Sequence, residues 1–378
     1  MNQRYARYGV IKQQKSLAAS ERLVSLDALR GLDMFLIAGA QNMVFRSAEY
    51  TDWEFLKTIA IEFEHPEWNG FTFFDLIFPL FMFLAGVSFT FSLSKRIQEG
   101  EGLRSLHVHV FTRGCSLILL GAICNGLLSL EFDNVVYSSV LGRIGIGYMC
   151  GALLAMHIKN WTGRLACCAS ILLGYWAVMM LVHVPGYGTG DLTPGHTLAS
   201  YIDRMLLPGR LYATDRDPNG LLATVPAIVN VLAGIMTGEL LRSTNRSGYQ
   251  KVGIMFLTGI VSWMIGQLWN SYFPINKNLW SSSFVMVTIG WSLMFLALFY
   301  LFIDVWRIRA WAFVFIVIGM NPLLIYIGQQ FIAFRDIVHL VLHDEQRKLH
   351  PLFIEFLMFS MKWSILYYLY RKRIFWRV

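Results

Sequence analysis

Long apolar runs separated by short polar stretches dominate the chain. Ten runs are long enough to cross a bilayer core about 30 Å thick, which takes about 20 helical residues. They cover residues 26–44, 71–93, 110–130, 137–157, 163–183, 220–241, 252–270, 279–303, 312–333 and 351–370. In lipid the backbone must hydrogen-bond to itself, so each run is expected to be a helix. Long irregular segments fall at 45–70, 184–219 and 334–350. The predicted fold class is an all-α polytopic membrane protein of about ten transmembrane helices. A single transmembrane domain over 26–370 is flanked by a basic N-terminal segment, 1–25, and a basic tail, 371–378.

Composition agrees with the pattern. Of 378 residues, 56% are hydrophobic and 15% charged, against about 25% charged in soluble domains. The net charge of +8 does not point to nucleic acid, because the basic residues collect on alternate sides of the runs, as the positive-inside rule expects. With a cytoplasmic N-terminus, that side receives Arg4, Arg7, Lys12, Lys15 and Arg22, then Lys95, Arg96, Arg104, Arg113, Lys159, Arg164, Arg242, Arg246, Lys251, Arg307, Arg309 and the tail. An even number of spans leaves both termini in the cytoplasm. The segments 45–70, 184–219 and 334–350, with the short stretch FPINKN, then lie on the outer face. The first run lacks a small-residue cleavage site and reads as a retained span. None of the five cysteines forms a C-x-x-C pair, so they read as packing residues and no metal site is expected.

Against this apolar background, ionisable residues inside spans stand out as functional candidates. In SLDALRGLD, Asp27, Arg30 and Asp33 recur every three residues, so Arg30 is placed to bridge both carboxylates; an interfacial ion pair accounts for them equally well. In HPEWNGFTFFDLIFPLF, His65 lies just outside the second span and Asp75 just inside it. Asp75 reads either as a first-turn carboxylate favoured by the helix dipole or as the partner that orients His65 for general-base chemistry. Three glutamates, Glu62, Glu64 and Glu67, surround His65 and either attract a cationic amine or keep that loop in water, the second being the favoured reading. Arg143, in VLGRIGIGY, is buried about two turns into the fourth span and needs an anion, either a carboxylate or a ligand phosphate. The neighbouring glycines permit close packing but do not form G-x-G-x-x-G, so no Rossmann site is read. In FPINKNLWSSSF, Asn276, Lys277, Asn278 and Ser281–Ser283 either solvate a polar ligand or cap a helix, with Trp280 as an interface anchor. Asn321 and Pro322 mark a kink in the ninth span.

These segments, with RLVSLDALRG (22–31), DPNGLLATVPAI (217–228), GMNPLLIYIG (319–328) and LYRKRIFWRV (369–378), follow one another in a familiar order. The chain resembles the heparan-α-glucosaminide N-acetyltransferase family, the transmembrane acyltransferases of lysosomes and their bacterial homologues. That resemblance implies transfer of an acetyl group from cytoplasmic acetyl-CoA, as co-substrate, to the amine of an amino sugar across the membrane. It implies that the histidine of H-x-x-W-N-G, His65, is catalytic, with Trp68 and Asn69 in the same motif and Asp75 in the next. It carries Arg143, Asn276, Lys277, Asn278, Trp280 and Asn321 over as binding residues. Where the lysosomal enzymes have an asparagine near the end of the first span, this chain has Gln41, with Asn42 adjacent. The partners implied are acetyl-CoA, an amino-sugar or glycan acceptor, the lipid bilayer and a second copy in a homodimer; the location is a bacterial inner membrane. His65 acts either as base in a ternary complex or as acetyl acceptor. The alternative is an amino-sugar or sugar transporter, against which the lack of duplicated halves counts.

Overall fold

The computed structural model describes residues 23–342 and 349–376; the basic residues expected at 1–22 and the last two of the tail lie outside them. The chain begins as one continuous helical run. Helix α1 (Val24–Phe35) passes through a π-helical turn (Leu36–Ala40) into α2 (Gln41–Tyr50). A short α3 (Glu54–Glu62) and a 3-10 turn (Phe73–Leu76) lead into α4 (Ile77–Gln98). Then follow α5 (Leu103–Cys124), α6 (Val140–His157) and α7 (Trp161–Leu181). A two-residue-stranded hairpin, β1 (His183–Val184) with β2 (Gly188–Thr189), and the amphipathic α8 (Leu198–Leu206) occupy the long segment before α9 (Leu221–Arg242). The remaining helices are α10 (Gly248–Trp269), α11 (Ser282–Tyr300, extended by a π turn to Val305), α12 (Phe313–Gly319), α13 (Pro322–Phe331), α14 (Phe334–Leu342) and α15 (Pro351–Arg371).

Eight helices among the described residues are long and apolar enough to span a membrane, and α12 with α13 form a ninth candidate bent by 73° at the Asn321–Pro322 break. The tenth expected span, the first, is helical but different in kind. Its ionisable residues face protein, and Asp27, Asp33 and most of α1 are buried. The expectation of ten similar apolar spans is corrected to this extent.

Burial sorts the helices into layers. Most of α4 and α9 is enclosed, whereas α7, α10 and α15 turn most of their surface outward. Glycine lets the inner pairs close. A Cβ on Gly86 would stand 2.1 Å from Val231 O, and one on Gly234 would stand 2.0 Å from Phe83 O, so α4 and α9 touch backbone to backbone. The same holds where α1 crosses α12: a Cβ on Gly319 would meet Asp27 O at 1.8 Å. Small residues at such crossings are what apolar helices use to gain packing where water supplies no driving force. The π turn is held from outside, since Lys362 of α15 donates to Ala38 O at 2.7 Å.

The structure corrects the reading of Arg30. It lies 3.7 Å from Asp27 and donates to Ser88 Oγ of α4. Asp33 is fully buried with neither oxygen hydrogen-bonded among the described residues. One guanidinium reaches one carboxylate and the neighbouring helix, not both carboxylates.

Candidate active site

His65 sits in the irregular turn between α3 and the 3-10 segment, and local chemistry fixes that turn. Thr72 and Asp75 form a capping box, with Thr72 N donating to Asp75 Oδ2 at 3.2 Å. Thr72 Oγ1 reaches back to Glu64 O at 2.7 Å. Glu62 accepts from Phe73 N at 3.0 Å, so it closes the turn and is more than a solvated charge. Gln41 Nε2 donates to Phe63 O at 3.0 Å and ties the turn to the end of the π segment.

The capping box spends one oxygen of Asp75 on backbone and leaves the other for His65, whose Nδ1 lies 2.7 Å from Asp75 Oδ1. Asp75 is fully buried while the His65 side chain is half exposed (49%). With a carboxylate accepting at Nδ1, that nitrogen carries the proton and Nε2 presents its lone pair. Lys277 joins from 212 residues away: Nζ is 3.3 Å from Asp75 Oδ1, and 3.2 and 3.3 Å from Nε2 and Nδ1. Near-equal distances to both ring nitrogens put the ammonium over the ring face, not along either lone pair, so its ion partner is Asp75. Burial depresses the Lys277 pKa below the usual lysine range; Asp75 opposes that fall and Arg143 adds to it.

A second unit holds Lys277 in place. Asn276 accepts from Leu279 N at 2.9 Å through Oδ1 and donates to Asn69 Oδ1 at 3.1 Å. Gly70 N donates to Ile275 O at 2.9 Å. The two irregular segments are therefore stitched together by backbone and amide contacts. Trp280 follows with φ +50°, a strained conformation for a bulky residue. It is fully buried, and its Nε1 donates to Asn230 Oδ1 at 3.1 Å. It is thus an interior wall, not an interface anchor. Arg143 stacks over it at 4.6 Å and donates from Nη2 to Pro218 O at 2.7 Å. Its Nε and Nη1 are buried without a hydrogen-bond partner among the described residues.

The His65, Asp75, Lys277, Trp280 and Arg143 side chains line one cavity of about 570 Å³. Of the residues named from sequence, Gln41, His65, Glu67, Trp68, Asp75, Arg143, Lys277, Asn278 and Trp280 line it. Asn276, fully buried, and Asn69, exposed, do not line it and hydrogen-bond to each other. Asn42 is exposed, and Arg30 is engaged with Ser88. Asn321 does not reach the cavity: it donates to Ile374 O at 3.0 Å and accepts from Trp376 N at 2.8 Å, pinning the chain's end under the α12–α13 break. The cavity has a polar rim near His65 and an apolar floor of Met34, Ile37, Phe81, Ile144, Leu323 and Tyr326.

The segment 207–219 supplies rim residues that sequence reasoning missed, Tyr212 and Arg216. Arg216 lies over Trp68 at 5.3 Å and pairs with Asp215 at 2.9 Å. Trp68 Nε1 donates to Leu192 O at 2.8 Å. Asp203 and Asp217 anchor this segment. Asp217 accepts from Asn219 N at 2.8 Å and Tyr212 N at 3.0 Å, and Asp203 caps α9 through Leu221 N at 2.8 Å. Burial pushes the Asp203 carboxyl up to about 6, against the pull of the Leu221 N–H. A mid-helix acid in the amphipathic stretch LASYIDRML was the available signal.

A polytopic all-α protein with a His–Asp–Lys cluster at the rim of an intramembrane cavity is the class these features define. The family model described as heparan-alpha-glucosaminide N-acetyltransferase, catalytic, matches residues 22–268, and the chain belongs to that family. It is 29% identical to the human heparan-alpha-glucosaminide N-acetyltransferase over 96% of this chain and 60% of that protein. It is 28% identical to the mouse protein over 96% of this chain and 61% of that one. The chain thus spans about 60% of the length of the curated relatives it matches.

Proposed function

We propose that the protein transfers an acetyl group from acetyl-CoA to the amine of a glucosamine-type sugar, with His65 at the reacting centre. The observation that carries the proposal is the 2.7 Å pair of His65 with buried Asp75, its free Nε2 at the rim of a cavity that runs inward.

The amine nitrogen forms a bond to the thioester carbonyl carbon, the C–S bond breaks, and one proton leaves the nitrogen while the thiolate takes one up. A base at the rim serves the first proton, and Nε2 is the available lone pair. Asp75 holds the tautomer and stabilises the imidazolium that forms. Direct attack by the amine and prior acetylation of His65 Nε2 both use this arrangement. The residues fit the co-substrate in two respects: the apolar floor suits an acyl-bearing arm, and the unpartnered N–H groups of Arg143 suit developing or fixed negative charge. Sidedness follows the basic loops, with the His65 end outward in a bacterial inner membrane and both termini in the cytoplasm. Acetyl-CoA then enters from the end opposite His65.

Purified protein with labelled acetyl-CoA and a panel of amino sugars tests the proposal, beside His65→Ala. N-acetyl sugar formed by wild type and lost in the variant supports it. Background transfer by both, with sugar accumulation in reconstituted vesicles, replaces it with transport.

A further inference from the structure

A second cavity, about 780 Å³ and larger than the first, lies between α7 and α10 and is floored by α9 and α11. It shares no lining residue with the His65 cavity. Its wall on α7 runs from Trp161 through Leu165 and Ala169 to Leu173, one helical face. On α10 it runs from Ile254 to Trp269, about 22 Å at about 1.5 Å per residue. That exceeds one leaflet of a hydrocarbon core about 30 Å thick.

The lining is apolar in fact as well as in composition. Three of the hydroxyls it contains turn to helix carbonyls, Thr237 to Ala233 O at 2.8 Å, Ser243 to Leu240 O at 2.7 Å and Ser262 to Met286 O at 2.7 Å. The one end with charge is the end away from His65, where Glu239, Ser243, Arg246 and Trp161 gather. Glu239 is already neutralised by Arg164 at 2.6 Å. Arg246 is exposed and pairs with no acid among the described residues, and it immediately precedes Ser247, the N-cap of α10. The free charge at the groove's mouth is therefore positive, while the groove behind it is carbon.

We propose that this groove binds one anionic glycerophospholipid, its phosphate on Arg246 and an acyl chain laid along α7 and α10. A cation at headgroup level over a chain-length apolar slot is the complement of that molecule. A second copy of this chain is the poorer occupant. A twofold axis along the membrane normal would bring like ends together, setting Arg242 and Arg246 against their own counterparts.

The full-length protein is reconstituted in nanodiscs of equal phosphatidylglycerol and phosphatidylcholine, released into mild detergent and weighed by native mass spectrometry. Wild type is expected to retain one phosphatidylglycerol per chain, enriched over phosphatidylcholine. Arg246→Ala, at an exposed position, is expected to lower that enrichment roughly fivefold, the worth of one basic residue at an anionic surface. Ala233→Phe, which fills the groove, is expected to abolish retention of both lipids while the protein still elutes as one species. Equal retention of the two lipids by wild type, or unchanged phosphatidylglycerol retention in Arg246→Ala, overturns the proposal. So does disulfide-linked dimer formation by Val261→Cys in place of lipid retention.

Discussion

Replacing Asp75 by Asn removes one charge and almost no volume. Asn keeps an acceptor for the Thr72 capping box, so the 3-10 turn survives. What goes is the negative charge facing His65 Nδ1 at 2.7 Å and Lys277 Nζ at 3.3 Å. A hydrogen bond to a charged group contributes about 1.5–3 kcal/mol. If that interaction is strongest when the imidazolium forms, its loss slows transfer about 10- to 150-fold at about 1.4 kcal/mol per tenfold. The orphaned Lys277 adds a second cost. Breaking a buried pair costs about 3–5 kcal/mol when the survivor stays charged and dry, but the Lys277 side chain keeps 26% of its surface exposed. With burial already depressing its pKa, it sheds its proton or turns to water, and little of that cost remains. The expected result is a fall of roughly 100-fold in kcat, with the KM for acetyl-CoA within about threefold of wild type. The assay follows thiol release and N-acetyl product together, which separates transfer from thioester hydrolysis. A kcat within about threefold of wild type, or a loss confined to KM, refutes the assignment of Asp75 as the partner of a proton-accepting His65.

Three further outcomes follow. Asp203, raised to about 6 from 3.8, contributes stability that is full below its unfolded value and lost as pH rises through about 6. Wild type should therefore melt lower at pH 7.5 than at pH 4.5 and Asp203→Asn should lack that fall, a difference on the order of 3 kcal/mol at most, read by thermal melts across that range. Arg143→Met fills the same volume without the unpartnered N–H groups; transfer should drop at least about tenfold while the melting temperature holds, measured by the same assay and melts. Gly319→Ala forces a Cβ against Asp27 O, which stands 1.8 Å away, at a cost of about 1–3 kcal/mol or more, so size-exclusion profiles should show loss of monodisperse protein.

The helices were legible because each apolar run is long and ends in Arg, Lys, Gly or Pro. The exception is instructive: Asp27, Arg30 and Asp33 made the first run look like an interfacial helix, yet it is enclosed, with Arg30 on Asp27 and Ser88 and the Asp33 carboxylate buried without a hydrogen bond among the described residues. His65 and Asp75 were legible because they lie only ten residues apart, and the Thr72–Asp75 capping box fixes the turn between them. Lys277 was placed near the site only by motif. Nothing in its spacing announced a contact 212 residues away, because that contact depends on how Asn69, Gly70, Ile275 and Asn276 pair two loops. Arg216 and Tyr212 were not legible at all, since their segment has no periodicity and its shape rests on Asp217 and Asp203.

The rim charges bear on the amine's protonation state. Arg143, Arg216 and Lys277 line the cavity with Asp75 and Glu67, and Arg216 is paired with Asp215 at 2.9 Å. Asp75 is already committed to His65 and Lys277, and Glu67 is exposed. In the proposed reaction an acceptor ammonium at His65 Nε2 would stand beside Lys277 Nζ, 3.2 Å from that nitrogen, and a like charge nearby disfavours the protonated form. The neutral amine, which is the nucleophile, is the form the rim tolerates. On this reading Lys277 does not compete with His65 for the role of base. In the proposed reaction it lowers the acceptor's pKa, so that the proton passed to His65 is one the amine is already disposed to lose.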